Sequence, residues 1–378
     1  MFRRASVLVV AAAFALGGCS RKAKDAPAEQ PAAGPIAAAS IGDAATPASA
    51  PADDAAPATA GPAAKGTDGA EAAWNAMAAG GAGSAAVSAA VPAGGKAPFL
   101  WKVEGGRAPL YLFGTIHVPD DRVLTLAPSV EKAFGEASAV YTEIPMDGAT
   151  QLGIMGKVML PDGTQLSDVI GQPLFDRMTA AAQKTLGAEH AGIGAMLDPL
   201  FQRMKPWAAM SQLSLLEFLP DMMAGKQPLD AMLYARAQSE GKTVGALETP
   251  EEQIAVFESF STREQIRMLE LTLDEIERVK PGDRTQTQAL IDAYLSGDMT
   301  VVAQVMDEAM AGDRALMARF QDIAITRRNN HMSERILALR REQPSTVFFV
   351  AVGTAHYAGP TGIVAQLQKA GLKVGRVQ

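Results

Sequence analysis

An abrupt change in composition near residue 98 limits the fold of this 378-residue chain more than any other feature. Residues 20–97 are rich in Ala, Gly and Pro and contain few aromatic or β-branched side chains. Such a segment cannot bury enough apolar surface to offset the entropy that is lost on ordering. We therefore predict a short N-terminal segment over residues 1–19, an extended, flexible tether over residues 20–97, and one folded domain over residues 98–378.

The first 19 residues have the pattern of a secretory signal. Two arginines precede an apolar run over residues 7–16, which is too short to cross a bilayer. The chain's single cysteine, Cys19, follows Leu16-Gly17-Gly18 in a sequence that resembles the bacterial lipobox, whose cysteine becomes the lipidated first residue of the mature protein. We expect Cys19 to be lipidated, with an ordinary signal peptide or a buried free thiol as alternatives. By analogy with lipoprotein sorting, Ser20 favours an outer-membrane anchor that faces the periplasm.

Charge and cysteine content exclude several classes of function. The formal net charge is −7 and the basic residues are scattered, so we expect no nucleic-acid partner. One cysteine excludes an intrachain disulfide framework and a Cys-x-x-Cys zinc site. A metal would have to be held by His, Asp and Glu, and the chain has 4 histidines.

Short apolar runs separated by helical patterns predict an α/β domain with a mostly parallel central sheet. The predicted strands cover residues 99–103, 110–113, 139–143, 242–248, 346–352 and 372–377, and the first two form a hairpin. Residues 152–240 have a 3.6-residue periodicity that predicts a large helical insertion. In such sheets, ligands bind beyond the carboxyl ends of the strands.

Two of the predicted strands end in the same Gly-Thr-x-His pattern, as Gly114-Thr115-Ile116-His117 and Gly353-Thr354-Ala355-His356. The glycine permits a positive φ or a close approach to the backbone, and the histidine points into the crevice. A single histidine at a strand end is more often a hydrogen-bonded core residue, but the repetition favours a shared site. Because neutral imidazoles are the commonest metal ligands, His117 and His356 are predicted to bind a metal.

Two glutamates follow further predicted strands. Burying the carboxylate of Glu143 or Glu248 is costly unless it is paired or bound to a cation. Either residue could complete a site of two histidines and one carboxylate, and the other could act as general base on a metal-bound water. The alternative is a solvated strand end or, for Glu248, an anion at the N-terminus of the helix that is predicted to begin at Pro250.

Other polar residues give weaker signals. Arg327 and Arg328 lie in a helical run, where a guanidinium aimed at the crevice could stabilise an oxyanion, although paired arginines usually form a solvated face. His190 and His331 lie in helical stretches with no matching partner, and we predict that they are surface or structural residues.

Several of these residues lie in motifs that resemble the TraB/PrgY/GumN/Tiki family, in its bacterial GumN-like branch. The resemblance covers about residues 99–377. Besides both Gly-Thr-x-His motifs it includes Leu100-Trp101-Lys102-Val103, Tyr141-Thr142-Glu143, Lys205-Pro206-Trp207, Leu247-Glu248-Thr249 with Gln253, Gly297-Asp298 and Arg328-Asn329. The double arginine, and His331-Met332 where family members often have an aromatic residue, leave the choice between Arg327 and Arg328 open.

The resemblance implies a fold similar to the erythromycin-esterase and ChaN-like α/β proteins. It also implies an active site built from His117, His356, Glu143 and Arg328. Tiki members of the family are described as metal-dependent proteases that favour manganese or cobalt; iron and zinc are alternatives for the same donor types.

We therefore expect an envelope-anchored, metal-dependent hydrolase, in the first place a peptidase that acts on a peptide or protein of the cell envelope. His117, His356 and a carboxylate, best Glu143, would bind the divalent ion, and Arg328 would stabilise the charge that develops. The alternative is a non-catalytic lipoprotein that binds haem, a metal or another ligand in the same crevice.

Overall fold

The structure, a computed structural model, describes residues 97–280, 282–309 and 312–378. The predicted signal with Cys19, and residues 20–96 of the predicted tether, lie outside the described residues. Within the described ranges, no helix has both the length and the apolar character that crossing a membrane requires.

One six-stranded sheet organises the described residues. Its strands are β1 (Leu100–Glu104), β2 (Leu110–Thr115), β3 (Ala139–Thr142), β4 (Thr243–Ala246), β5 (Phe348–Gly353) and β6 (Lys373–Arg376). They lie in the order β4-β3-β5-β2-β1-β6; the four strands from β4 to β2 pair in parallel, and β1 pairs antiparallel with β2 and β6. The mostly parallel sheet confirms the predicted fold class, and the β1–β2 pair confirms the predicted hairpin. The resemblance to the erythromycin-esterase and ChaN-like fold stays a prediction.

Helices surround the sheet and form the insertion between β3 and β4. The α-helices are α1 (Asp121–Leu124), α2 (Pro128–Glu136), α3 (Gly148–Val158), α4 (Leu166–Ile170), α5 (Gln172–Leu186), α6 (Ala191–Gln202), α7 (Pro206–Ser214), α8 (Leu219–Met223), α9 (Leu229–Ser239), α10 (Pro250–Glu258), α11 (Thr262–Arg278), α12 (Gln286–Leu295), α13 (Met299–Ala309), α14 (Arg314–Phe320), α15 (Arg328–Glu342) and α16 (Ile363–Lys369). Helices α3 to α9 confirm the predicted helical insertion.

Both faces of the sheet are covered, which explains the continuous apolar runs of its central strands. Every residue of β2 and β5 is buried. Along β2 the side chains alternate between two apolar clusters: Leu110 and Leu112 belong to one, and Tyr111 and Phe113 belong to the other. This period of two follows from the pleat of a strand and fixes which side chains reach each layer of helices.

The insertion has an apolar core of its own, shared with helices α10, α11 and α14. Trp207 stacks on Phe257 with 5.0 Å between the ring centroids, and Phe260 stacks on Phe320. Buried methionines such as Met178 fill the spaces between these helices, as expected for a flexible apolar side chain. Ile144, two residues after the end of β3, belongs to the same cluster, so this core reaches the carboxyl end of the sheet.

The strand order brings the polar strand-end residues to one edge. Because β4, β3, β5 and β2 run in parallel, their carboxyl ends carry Glu248, Glu143, His356 and His117 in that spatial order. Helix α10 begins at Pro250, as predicted. Its N-terminus is capped: the hydroxyl of Thr249 accepts the N–H of Glu252, whose carboxylate accepts the N–H of Thr249.

Candidate functional site

A buried carboxylate, Glu143, lies at the centre of the strand-end cluster and is 5% exposed. Its Oε1 accepts the backbone N–H of Gly353 at 2.8 Å, and its Oε2 accepts N–H groups of Arg328 at 2.6 Å and of Gln253 at 2.9 Å. Burial by itself raises the pKa of Glu143, but Arg328, the two neighbouring histidines and the N–H of Gly353 lower this pKa well below its ordinary value. The carboxylate therefore stays ionised although it is buried.

The histidines of both Gly-Thr-x-His motifs face this carboxylate. Nε2 of His117 lies 3.8 Å from Oε1 of Glu143, and Nε2 of His356 lies 3.9 Å from the same oxygen. On the far side of the rings, Nδ1 of His117 lies 2.6 Å from Asp230 Oδ2, and Nδ1 of His356 lies 2.6 Å from Asn329 Oδ1. Because both Nδ1 partners are oxygen acceptors, each Nδ1 carries a proton. Nε2, the atom that faces Glu143, is therefore the nitrogen that can bind a cation when the ring is neutral.

The two imidazoles differ in charge preference. Burial lowers the pKa of His117, but the charge and hydrogen bond of Asp230, with the charge of Glu143, raise it to about 9. Burial and the nearby Arg328 lower the pKa of His356 to about 3. Asp230 thus stabilises positive charge at His117, whether a proton or a cation carries it, and His356 stays neutral.

Asp230 is a site residue that the sequence analysis missed. It lies in the first turn of α9, is 2% exposed, and also accepts the hydroxyl of Thr115 at 2.6 Å. Its position between buried Leu229 and Leu233 on one helix was the available signal, because an acidic residue on an apolar helix face requires a partner. The sequence points to Asn329 only as part of the Arg328-Asn329 motif and gives it no role. In the structure its Nδ2 donates to the carbonyl of Thr361 at 2.9 Å, which orients Oδ1 towards His356.

The structure brings one of the two adjacent arginines into the cluster. Nη2 of Arg328 lies 2.6 Å from Glu143 Oε2 and 2.6 Å from Glu248 Oε2. The side chain of Arg327 is 68% exposed and pairs with Asp322. Glu248 contacts Arg328 and Gln253, whereas Glu143 is the carboxylate that both histidines face.

A segment of π-helix, Gln321–Arg327, leads directly into Arg328. Such segments are uncommon and are frequent at functional sites, because the wider turn changes where the next side chains point. Nη1 of Arg328 donates to the carbonyl of Ala324 within this segment, at 3.3 Å. The π-helical segment thereby helps to hold the guanidinium in the cluster.

The donor set has the chemistry of a site for a divalent cation. The distances of 3.8 Å and 3.9 Å between Glu143 Oε1 and the two Nε2 atoms are too long for hydrogen bonds. They are short enough for an ion to lie between these atoms, because two atoms that are each about 2.1 Å from one ion can be at most about 4.2 Å apart. Within residues 97–280, 282–309 and 312–378, however, no group of three or more His, Cys, Asp or Glu side chains is arranged to hold a metal ion. The two imidazoles are the available ligands, and Glu143 already receives Arg328 and Gly353.

The other two histidines lie outside the cluster. Nδ1 of His190 lies 3.1 Å from the carbonyl of Leu186, one turn earlier in the chain. The side chain of His331 is 48% exposed and lies 3.7 Å from Glu252. Both placements agree with the surface or structural roles that the sequence predicts.

Comparison with known proteins identifies the family. The model of the TraB/PrgY/gumN family matches residues 99–376, which include every residue of the cluster. The chain belongs to the TraB/PrgY/gumN family. The family predicted from the sequence motifs is thus confirmed.

The curated proteins that resemble the chain include animal metalloproteases. Metalloprotease TIKI1 of Danio rerio is 28% identical over 308 residues, which are 73% of this chain and 62% of the relative. Metalloprotease TIKI2 of Xenopus tropicalis is 28% identical over 309 residues (73% and 59%), and metalloprotease TIKI1 of Homo sapiens is 27% identical over 309 residues (73% and 61%). The chain therefore spans about three-fifths of the length of these curated relatives. No solved structure matches the chain.

Replacing Arg328 by methionine is expected to destabilise the protein by about 3–5 kcal/mol, because two buried carboxylates then lose their shared cation. Adding Glu248→Gln removes one of the two uncompensated charges, so the double variant should recover part of this loss. Urea denaturation of the full chain, followed by circular dichroism, measures both free energies of unfolding.

The matched control is Arg327→Met, which changes the adjacent, exposed arginine and should cost less than about 1 kcal/mol. Equal destabilisation by the Arg327 and Arg328 variants would contradict the buried ion cluster described above.

Proposed function

We propose that this protein is a metal-dependent peptidase of the cell envelope, anchored by a lipid on Cys19. The observation that carries the proposal is the arrangement of His117 and His356, whose Nε2 atoms face one oxygen of the buried Glu143. The metalloprotease names of the TIKI relatives support the reaction class. The substrate is accordingly a peptide or protein, which we place in the envelope with the anchored enzyme.

The metal would be held by Nε2 of His117 and of His356, beside Glu143 Oε1, which faces both rings. Glu143 itself keeps its contacts with Arg328 and Gly353 and serves as the base. Manganese or cobalt is our first choice, with iron and zinc as alternatives for the same donors. When bound, such an ion polarises the scissile carbonyl and lowers the pKa of the attacking water.

The chain's own residues prepare this chemistry. Asp230 and Asn329 hold the Nδ1 atoms, which fixes the orientation of both rings. Glu143, the carboxylate that faces both imidazoles, takes the proton that water loses as the carbon–oxygen bond forms, and returns it to the amine as the carbon–nitrogen bond breaks. Arg328 keeps Glu143 ionised and lies beside the cavity, where it stabilises negative charge on the carbonyl oxygen. In this scheme Glu248 orients Arg328.

The size of the cavity favours a metal ion over haem as the ligand. The cavity that His117, His356 and Arg328 line has a volume of about 70 Å³. Sites for organic ligands usually measure about 300–1,000 Å³. A space of 70 Å³ suits an ion with a few waters.

The decisive experiment compares two pairs of histidines. The double variant His117→Ala plus His356→Ala should lose its bound divalent metal and its peptide cleavage together, because it lacks both imidazole ligands. Metal content is measured by mass spectrometry on full-length protein purified without chelator, and cleavage is measured on a mixture of unlabelled peptides.

The control is His190→Ala plus His331→Ala, which removes the same number of imidazoles outside the cluster and should leave metal and cleavage unchanged. Unchanged metal content in the His117 and His356 variant would refute the proposal.

Asp230→Asn tests the role of the residue behind His117. The substitution keeps the shape and an oxygen acceptor but removes the charge, so both histidines would then be held by amides. Loss of such a partner weakens metal binding by about 10–100-fold. Titration calorimetry with Mn²⁺ reads the affinity, and thermal unfolding shows whether the fold is intact. An unchanged affinity in a folded variant would show that Asp230 only supports structure.

The anchor has a separate test. In a diderm bacterial host, Cys19→Ser should move the protein from the outer-membrane fraction to the soluble periplasmic fraction, because the lipid attachment point is lost. Ser20→Ala is the matched control and should stay in the membrane fraction. A Cys19 variant that still sediments with membranes would contradict the lipid anchor but leave the proposed reaction untouched.

A further inference from the structure

A second cavity adjoins the one that the two histidines line. It has a volume of about 610 Å³ and lies along α13, α14 and residues 358–361. This volume falls within the range of about 300–1,000 Å³ that is usual for binding sites of organic ligands. The larger cavity therefore has room for several side chains, which the 70 Å³ space beside the histidines does not.

Three apolar residues connect the two cavities. Met306, Ile325 and Ala355 line both of them. They come from α13, from the π-helical segment and from the second Gly-Thr-x-His motif, directly before His356. A ligand that fills the larger cavity consequently extends to within one residue of the proposed metal ligand.

We propose that the larger cavity binds an apolar segment of the peptide substrate, next to the bond that is cleaved. This inference rests on the proposed peptidase function and specifies its substrate class. The wall is mainly apolar, with Met317 and Pro360 in addition to the three shared residues. Methionine side chains adapt to apolar groups of different shape, so the cavity accepts more than one type of large apolar residue.

The polar groups of the wall suit a peptide backbone. Gln321 and Thr361 line the cavity and offer an amide and a hydroxyl for hydrogen bonds with an extended chain. The charged residues of the wall are one acid, Asp307, and one base, Arg314, both exposed. Opposite charges give no net preference for an acidic or a basic segment, which leaves the apolar surface to select the substrate.

One hydrogen-bond relay links the cavity wall to the histidine. The carbonyl of Thr361 accepts Nδ2 of Asn329, whose Oδ1 holds Nδ1 of His356. A peptide that contacts residues 360–361 therefore lies against the support of the imidazole. The buried Asn329 therefore connects the substrate contact at residues 360–361 with the orientation of His356.

The test measures binding without cleavage, on the full chain treated with EDTA. The probes are end-blocked, fluorescein-labelled pentapeptides, Ala-Ala-Phe-Ala-Ala and Ala-Ala-Asp-Ala-Ala, and the readout is fluorescence anisotropy. Burial of one large apolar side chain predicts a dissociation constant at least about tenfold lower for the phenylalanine peptide. Equal affinities for the two peptides would overturn the inference, and this comparison needs no variant.

A matched pair of variants locates the binding. Ala318 lines the cavity and Ala315 lies outside it, and both are exposed residues of α14. Ala318→Trp should fill the space and weaken binding of the phenylalanine peptide about tenfold, whereas Ala315→Trp should not. Equal effects of both variants would overturn the assignment to this cavity.

The same peptides separate this inference from the proposed function. Cleavage of both peptides at equal rates by the metal-loaded protein would refute the apolar subsite and leave the peptidase function intact. Selective binding of the phenylalanine peptide without cleavage of any peptide would refute the peptidase function and leave the cavity as a peptide-binding site.

Discussion

The ion cluster of Arg328 with Glu143 and Glu248 is the interaction on which the rest of the site depends. Its side chains are 12%, 6% and 3% exposed, so water compensates little of their charge. Two carboxylates in such a place are tolerated only because a guanidinium and the amide of Gln253 supply donors to both. The cluster joins the ends of β3 and β4 to helices α10 and α15, which fixes Glu143 where both histidines face it.

Close approach of backbones explains the glycines of the repeated motif. A Cβ on Gly353 would lie 3.1 Å from Glu143 Oε1 and 3.3 Å from His117 Nε2. A Cβ on Gly114 would lie 2.8 Å from Phe99 Cβ and from Thr354 Oγ1. Of the two reasons for glycine that the sequence allows, the structure favours lack of space, because Gly353 has an ordinary negative φ of −50°. The motif therefore encodes a crowded strand end that brings the carboxylate to the backbone N–H of residue 353.

The sequence predicts those parts of the site that lie on the strands. His117, Glu143, Glu248 and His356 each follow an apolar run, and a parallel sheet brings the carboxyl ends of such runs to one edge. The observed strand order places the four residues there. Asp230 was missed because its partner, His117, is 113 positions away, and the contact exists only when α9 packs on the sheet. The choice between Arg327 and Arg328 depends on helix phase, and a π-helical segment shifts that phase in a way that a 3.6-residue period does not predict.

The helical insertion also contributes directly to the chemistry of the strand ends. Its last helix, α9, supplies Asp230, which raises the pKa of His117 to about 9 while the amide of Asn329 leaves His356 without such support. Two imidazoles from identical motifs thereby acquire different affinities for positive charge, through one residue outside either motif.

Thr115 in the first motif also donates to Asp230, so the strand end fixes the carboxylate that acts on its own histidine. The threonine of the second motif has a different partner: Thr354 donates to the carbonyl of Thr115 and joins the two strand ends. The two motifs thus have the same sequence pattern but different hydrogen-bond partners, because Thr115 holds a carboxylate and Thr354 holds a backbone carbonyl.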